Sequence, residues 1–297
     1  MSTPSNPPVS VVIPVYNEVD SVAQTLESVQ ATLSASSLAF EIIAVDDGST
    51  DGSGELLAGL ELPNLVKVVH PQNKGYGAAL KSGVRQAKYG VVVITDADGT
   101  YPNEKMPALV AELGDKDMVV GARTGQNVNI PAIRKPAKRA LNNLANYLSE
   151  TNIPDLNSGF RVMRKSVIKR FLHILPDSFS FTTTITLAML SGGYEVEYVP
   201  IDYYHRAGNS KIKPIRDTLR FTQLVIRTVM YFNPLRIFLP ISFALFAASL
   251  LVLLYRIFFG GLLVVSVILF VSAIQVLTTG MLADLIDKTT ARQRVEP

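Results

Sequence analysis

The sequence predicts an α/β protein: a mostly parallel sheet covered by helices, then amphipathic interfacial helices, then a two-helix transmembrane hairpin. Three observations predict this. Short apolar runs alternate with helix-length segments through the first 125 residues, two of those runs end in acidic clusters, and uncharged stretches of 19 and 22 residues lie in tandem near the C-terminus. Alternating strand and helix signals imply a sheet with right-handed crossovers.

Composition narrows the field. The chain has 297 residues, 48% hydrophobic and 18% charged, which excludes intrinsic disorder. A formal charge of +3 is too small to argue for a nucleic-acid partner, and none is expected. The absence of Cys excludes a disulfide scaffold, a thiolate metal site and a thiol nucleophile. The mean hydropathy of +0.26 is high, and its source is local.

The elements follow in order. Residues 1–8 are expected to be a disordered polar tail; they lack the basic and apolar regions of a signal peptide. Residues 9–15 form a continuous apolar run, as a strand covered on both faces requires. Residues 21–33 have helical spacing. A second strand over 40–45 leads into Asp46-Asp47-Gly48-Ser49-Thr50-Asp51, where Ser49-Thr50 resembles a helix cap. A third strand covers 65–69 and a helix 75–87. The segment from Asn73 to Ala79 opens that helix with two glycines, a pattern suited to holding an anion, with Lys74 available to a phosphate. A fourth strand over 90–95 ends in Asp96-Ala97-Asp98, and a fifth covers 117–120.

In such sheets ligands bind beyond the carboxyl ends of the strands. Two carboxylates one residue apart in that position can converge on a hard cation, Mg²⁺ or Mn²⁺, that also takes phosphate oxygens. A diphosphate leaving group would gain most from such an ion. Asp46 and Asp47, at the end of the second strand, are candidate nucleotide-binding residues. Of the three histidines only His205 sits in a motif; His70 and His173 are expected to be structural.

The C-terminal third points to a membrane. The uncharged stretches 237–255 and 262–283 each span about 30 Å as helices, the thickness of a hydrocarbon core. Lys and Arg cluster before the pair (Arg206, Lys211, Lys213, Arg216, Arg220, Arg227, Arg236) and after it (Lys288, Arg292, Arg294), against Arg256 alone at the far turn. The positive-inside rule puts the N-terminal part and residues 284–297 in the cytoplasm. Residues 215–232 form a basic amphipathic pattern suited to the membrane interface. Residues 130–149, with Arg134, Lys135, Lys138 and Arg139 before an apolar helical pattern, could form a second such helix. The expected organisation is a catalytic domain over 9–204, juxtamembrane helices over 205–236 and a hairpin over 237–283.

Three motifs in register carry a family resemblance. Val11-Val12-Ile13-Pro14-Val15-Tyr16-Asn17-Glu18, the Asp46 to Asp51 cluster and Asp96-Ala97-Asp98 resemble the family 2 glycosyltransferases of GT-A fold. Gly121-Ala122-Arg123, Asp155-Leu156-Asn157-Ser158-Gly159-Phe160-Arg161 and Arg206-Ala207-Gly208-Asn209-Ser210-Lys211 resemble the polyprenyl-phosphate sugar synthases, the dolichyl-phosphate mannose and glucose synthases among them. The resemblance covers residues 9–236, and a membrane hairpin is typical of bacterial members.

The resemblance implies an inverting transfer of a hexose, glucose or mannose, from a UDP- or GDP-sugar to a membrane polyprenyl phosphate. It implies that Pro14, Tyr16, Asn17, Glu18 and Asp46 line the nucleotide pocket with Asp47, Lys74 and Ala97. Asp96 and Asp98 would hold the metal and, with Arg123 and Arg161, form the catalytic set. Arg123, Arg134, Ser158, Arg206 and Lys211 would meet the acceptor phosphate. A phosphate monoester is already ionised near neutral pH and needs no general base. The chain lacks the ED pair of hydroxyl-acceptor relatives, and without Trp it lacks the QxxRW of processive synthases. Gly99-Thr100-Tyr101-Pro102 departs from the mannose synthases, placing Thr100 where a Gln would assist the metal, and Phe181-Thr182-Thr183-Thr184 replaces a stretch often acidic in relatives. Alternatives are a membrane glycosyltransferase with a glycolipid or polysaccharide hydroxyl acceptor, and a non-catalytic nucleotide-sugar-binding scaffold. Relatives with this hairpin suggest a homo-oligomer.

Overall fold

The computed structural model describes residues 7–125, 143, 145–147, 150–204, 223, 226, 230 and 233–293. The expected interfacial segments 130–149 and 215–232 therefore lie largely outside the described residues, as do Arg134, His205, Arg206 and Lys211.

The first half follows the apolar pattern. Strands β1 (Val9–Val15), β2 (Phe40–Asp46), β3 (Leu65–Val69), β4 (Val91–Ile94) and β5 (Met118–Ala122) alternate with helices α1 (Val22–Ala35), α2 (Ser53–Gly59), α3 (Tyr76–Gln86) and α4 (Met106–Ala111). Two strands the sequence did not announce complete the sheet, β6 (Arg161–Arg164) and β7 (Val196–Pro200), with helices α5 (Lys165–Phe171) and α6 (Phe181–Ser191) between them. The order is β3-β2-β1-β4-β6-β5-β7 in a 7-stranded sheet. All neighbours are parallel except β6, which runs antiparallel to both β4 and β5.

Strand alternation sends successive side chains to two cores. Val9, Val11, Ile13 and Val15 face one, under α1 and α4. Val12 faces the other with Ile43, Val45, Val92 and Ile94, under α3, α5 and α6. Both faces of the central strands are thus covered, which is why they are mostly apolar and rich in β-branched residues; the buried exceptions Ser10 and Glu41 pair, Ser10 Oγ donating to Glu41 Oε1 at 2.6 Å.

Helices α7 (Leu235–Phe259) and α8 (Leu263–Gln293) form an antiparallel hairpin turned by Gly260, Gly261 and Leu262, all at positive φ. Both are long and apolar enough to cross a membrane, and few of their side chains are buried. What they do bury against each other is polar or small. Ser249 Oγ donates to Ser266 O at 2.8 Å, Ser266 Oγ returns a bond to Ser249 O at 3.1 Å, and Ser242 Oγ donates to Ala273 O at 2.9 Å. Small residues and interhelical hydroxyl bonds suit helix pairing in lipid, where the hydrophobic effect offers no driving force and close packing and hydrogen bonds supply it. The hairpin is tied to the sheet domain at its root. Arg236 Nη1 donates to Tyr147 O at 2.8 Å, Arg236 pairs with Glu150, and Ile237 packs on Ala145, Ile153, Leu156 and Leu187.

Candidate active site

The carboxyl ends of β1, β2 and β4 are adjacent, so their loops share one rim of the sheet. The loop after β1 is stitched to the loop after β2. Asn17 N donates to Ser49 Oγ at 3.1 Å, Thr50 N donates to Asn17 Oδ1 at 2.8 Å, Glu18 N to Ser53 Oγ at 2.9 Å, and Val19 N to Asp51 Oδ2 at 3.1 Å. Asn17 adopts φ 54°, a left-handed turn that Asn tolerates. Ser49 and Thr50 thus brace the rim instead of capping α2, whose N-cap is Gly52. Burial raises the Asp51 carboxyl, but hydrogen bonds from Ser53 and Val19 outweigh it and hold the carboxyl below its ordinary range.

The two neighbouring acids Asp46 and Asp47 face different environments. Asp46 Oδ1 accepts from Ser49 N at 3.0 Å, at the rim. Both are buried, Asp46 4% and Asp47 2% exposed, and Asp47, expected to bind nucleotide, is turned inward. Its Oδ1 lies 2.6 Å from His70 Nδ1 and accepts from Lys74 N at 3.0 Å, and its Oδ2 accepts from Gly75 N at 2.7 Å. The structure places Asp47 as an internal brace of the loop carrying Lys74. His70, whose Nε2 lies 2.9 Å from Ser82 Oγ, completes that brace. Gly48 permits the approach: it sits at φ +70°, and a Cβ there would lie 2.6 Å from the Gln72 carbonyl carbon.

At the turn expected to hold an anion, the first amides of α3 meet protein backbone. Gly77 N and Ala78 N both donate to Asp177 O, at 2.9 and 3.2 Å. Backbone from the segment before α6 occupies the helix end, and Lys81 Nζ bonds Asp177 Oδ1 at 2.7 Å beside it. The Lys74 side chain stays exposed.

Asp96 and Asp98 are partly exposed, flanking buried Ala97 just beyond β4. Each carboxylate is oriented by a hydroxyl. Tyr76 Oη donates to Asp96 Oδ1 at 2.8 Å, and Thr100 donates to Asp98 Oδ1 through Oγ1 at 2.6 Å and N at 3.2 Å. Burial first, then the Asp96 charge, hold the Tyr76 phenol well above the ordinary tyrosine range, so it remains a donor. Two half-exposed carboxylates at a strand end are the donor chemistry a hard divalent cation takes. Among the described residues no group of three or more His, Cys, Asp or Glu forms a metal cage, so phosphate oxygens and water would complete the coordination. The residues fit Mg²⁺ or Mn²⁺ on that basis.

The basic residues expected at the phosphates are mostly engaged in building. Arg123 Nε and Nη2 bond Asp155 Oδ2 and Oδ1 at 2.7 and 2.9 Å, a bidentate pair whose carboxylate is fully enclosed. Arg161 is 0% exposed. Its guanidinium donates to Ser158 O at 2.6 Å, Thr186 Oγ1 at 2.6 Å and Leu156 O at 3.1 Å, and burial lowers its pKa from the ordinary arginine value. Ser158 is buried too, donating to Gly121 O at 2.5 Å. Arg161, expected in the catalytic set, and Ser158, expected at the acceptor phosphate, are both placed in the interior as struts, and neither side chain reaches solvent. With Thr183, which donates to Asn157 Oδ1 at 2.5 Å, they fix the turn from Asp155 to Gly159.

That turn serves the carboxylate pair. Gly159 N donates to Tyr101 Oη at 2.6 Å, and a Cβ on Gly159 would stand 2.8 Å from Asp96 Oδ2. Sequence reasoning gave no role to Tyr76, Asp155, Tyr101 or Asp177. Asp155 lay inside a noted motif, but nothing local pairs a carboxylate with an arginine 32 residues earlier.

Comparison with known proteins places this geometry. Residues 10–172 match the family model described as Glycosyl transferase family 2, and residues 233–288 match the GtrB C-terminal hairpin. An undecaprenyl-phosphate 4-deoxy-4-formamido-L-arabinose transferase of Pseudomonas fluorescens is 32% identical over 272 residues, covering 85% of this chain and 75% of its own. The protein of the same description from Pseudomonas paraeruginosa is 32% identical over 305 residues, covering 97% and 88%. Among solved structures, glucosyl-3-phosphoglycerate synthase from Mycobacterium tuberculosis, in complex with Mn²⁺, uridine diphosphate and phosphoglyceric acid, superposes with a TM-score of 0.57 at 20% identity, covering 75% of this chain and 78% of that one. The last likeness is one of fold.

Proposed function

The chain belongs to glycosyl transferase family 2, and from that premise we propose that it moves a sugar from a nucleoside-diphosphate donor to a membrane polyprenyl phosphate. The observation that carries this reading is a braced carboxylate pair on a sheet domain tied by Arg236 and Ile237 to two membrane-length helices. The acceptor named for the relatives, undecaprenyl phosphate, supports it.

On this reading Pro14, Tyr16, Glu18 and Asp46 line the nucleobase and ribose pocket with Asn17, Lys74 and Ala97 beside it. Asp96 and Asp98 hold a divalent cation, Mg²⁺ or Mn²⁺, which supplies positive charge against the diphosphate as it leaves. Arg134, Arg206 and Lys211 meet the acceptor phosphate, and Arg123 acts through Asp155 to hold the turn beside Asp96. An acceptor phosphate oxygen attacks the anomeric carbon, the bond from that carbon to the diphosphate oxygen breaks, and the nucleoside diphosphate leaves with the electron pair. Configuration inverts. No base is needed, since a phosphate monoester ionises with a second pKa near 6, and the first turn of α6 carries no acidic side chain. The catalytic side faces the cytoplasm of the inner membrane, where Lys and Arg concentrate.

The donor is a UDP- or GDP-hexose in the reading from motifs. The sugar named for the relatives favours a second reading, a 4-deoxy-4-formamido-arabinose donor. Detergent-purified full-length protein with Mn²⁺ is tested against UDP-glucose, GDP-mannose and the UDP-formamido-pentose, with and without polyprenyl phosphate. Nucleotide release requiring both one donor and the lipid is expected. Release independent of the lipid would overturn the acceptor assignment.

A further inference from the structure

Tyr76 contributes to neither substrate pocket described above, yet it touches the residue on which the chemistry depends. Its hydroxyl reaches Asp96 Oδ1 at 2.8 Å from the first turn of α3. Its ring stacks on Phe179, with centroids 5.3 Å apart and planes 18° from parallel. Phe179 belongs to the segment whose Asp177 carbonyl caps α3 through Gly77 N and Ala78 N. On the other side, Gly159 is held by Tyr101 and leaves no room for a Cβ against Asp96. The Asp96 carboxylate therefore lies between a hydroxyl donor from α3 and the glycine backbone of the Asp155 to Gly159 turn.

We propose that Tyr76 is a positioning residue that fixes the Asp96 carboxylate in the orientation that binds the divalent cation. This rests on the metal assignment made under the proposed function. A carboxylate on a strand-end loop rotates about its terminal torsion with little preference. One oxygen pinned by a phenol leaves the other with a set direction, and outer partners of this kind typically change metal affinity 10–100-fold. The stack on Phe179 restrains the ring, and the capped helix end restrains its backbone. Asp98 is oriented separately, by Thr100.

The test reads metal binding directly. Full-length protein in detergent is titrated with Mn²⁺, alone and with uridine diphosphate, and free Mn²⁺ is followed by electron paramagnetic resonance. Tyr76→Phe is expected to weaken binding about 10-fold, with an unchanged circular dichroism spectrum and melting temperature. Phe179→Ala, which keeps the hydroxyl but frees one face of the ring, should weaken binding less than Tyr76→Phe; an equal or larger loss there would assign the effect to ring packing and overturn the proposal. Wild-type Mn²⁺ affinity in Tyr76→Phe, with affinity lost in Asp96→Asn, would overturn the role of Tyr76 and leave the metal assignment standing. Wild-type affinity in Asp96→Asn would overturn the metal assignment and the Tyr76 proposal with it.

Discussion

At the residue scale the site separates groups that face substrate from groups that face protein. Asp98 stands at the rim, where Thr100 donates to its Oδ1 at 2.6 Å. Asp98→Ala should abolish transfer while the fold is retained, with a small fall in melting temperature because the buried Thr100 hydroxyl loses its acceptor; turnover at the wild-type rate would refute the metal role. Arg161 is the opposite case. Its removal takes a donor from two carbonyls and from the Thr186 hydroxyl, which keeps its bond to Thr182 O, and empties a large buried volume, so Arg161→Ala should cost about 3–5 kcal/mol. A thermal melt should show a clear fall, whereas a phosphate grip would raise the acceptor KM with the melt unmoved. Burial also raises two interior phenols, Tyr101 strongly and Tyr198 to about 12. An unfolded tyrosine ionises near 10. The folded chain then binds more protons than the unfolded chain above that pH, so stability holds below about pH 10 and falls as pH rises toward 12. A melt series from pH 8 to 12 checks it. A rising midpoint across that window would contradict the assigned burial.

The residue scale is also where the sequence is hardest to interpret. Asp46 and Asp47 are chemically identical neighbours, and only the fold decides that one meets the rim and the other His70. An arginine in a motif has the same letter whether it grips a ligand or, like Arg161, fills the interior. Tyr76 follows a glycine at a helix start, and its partner Asp96 is 20 residues away.

At the element scale β1, β2, β4 and β5 are legible because a strand covered on both faces is a mostly apolar run, with β2 and β4 leading into acidic clusters. β3, a half-exposed edge strand, shows in its valines around Lys67. β6 is not legible, because it is four residues long with arginine at both ends, and its antiparallel pairing depends on β4 and β5 together. β7 is a half-exposed edge strand whose alternation is weak and which ends at Pro200, where no ladder donor is needed. The hairpin was visible from hydropathy, but its seam was not. Ser249 and Ser266 exchange hydroxyl bonds across it, and such bonds in membrane helices are worth about 0.6–2 kcal/mol. Ser249→Ala and Ser266→Ala should each lower hairpin stability in detergent, and the double variant should lose less than the sum, because both changes break the same reciprocal pair. Strict additivity in a thermal double-mutant cycle would contradict that pairing.

At the scale of the whole molecule, three features acquire one purpose together. The sheet presents a carboxylate pair at its carboxyl edge, the turn after Asp155 packs against that pair, and Leu156 of the same turn lies in the cluster on which Ile237 seats the hairpin. On the proposed function, a site for a water-soluble sugar nucleotide is thereby held close to the root of two helices long and apolar enough to cross a membrane, as transfer onto a membrane phosphate requires. The measurement that tests this most directly is the identity of the product. Full-length protein in vesicles carrying polyprenyl phosphate is incubated with the active labelled donor, and the organic extract is analysed by mass spectrometry and NMR. The account predicts the label in the lipid phase, joined through its anomeric carbon to the lipid phosphate with inverted configuration. Label recovered only as free sugar in water, at the same rate with or without the lipid, would contradict it.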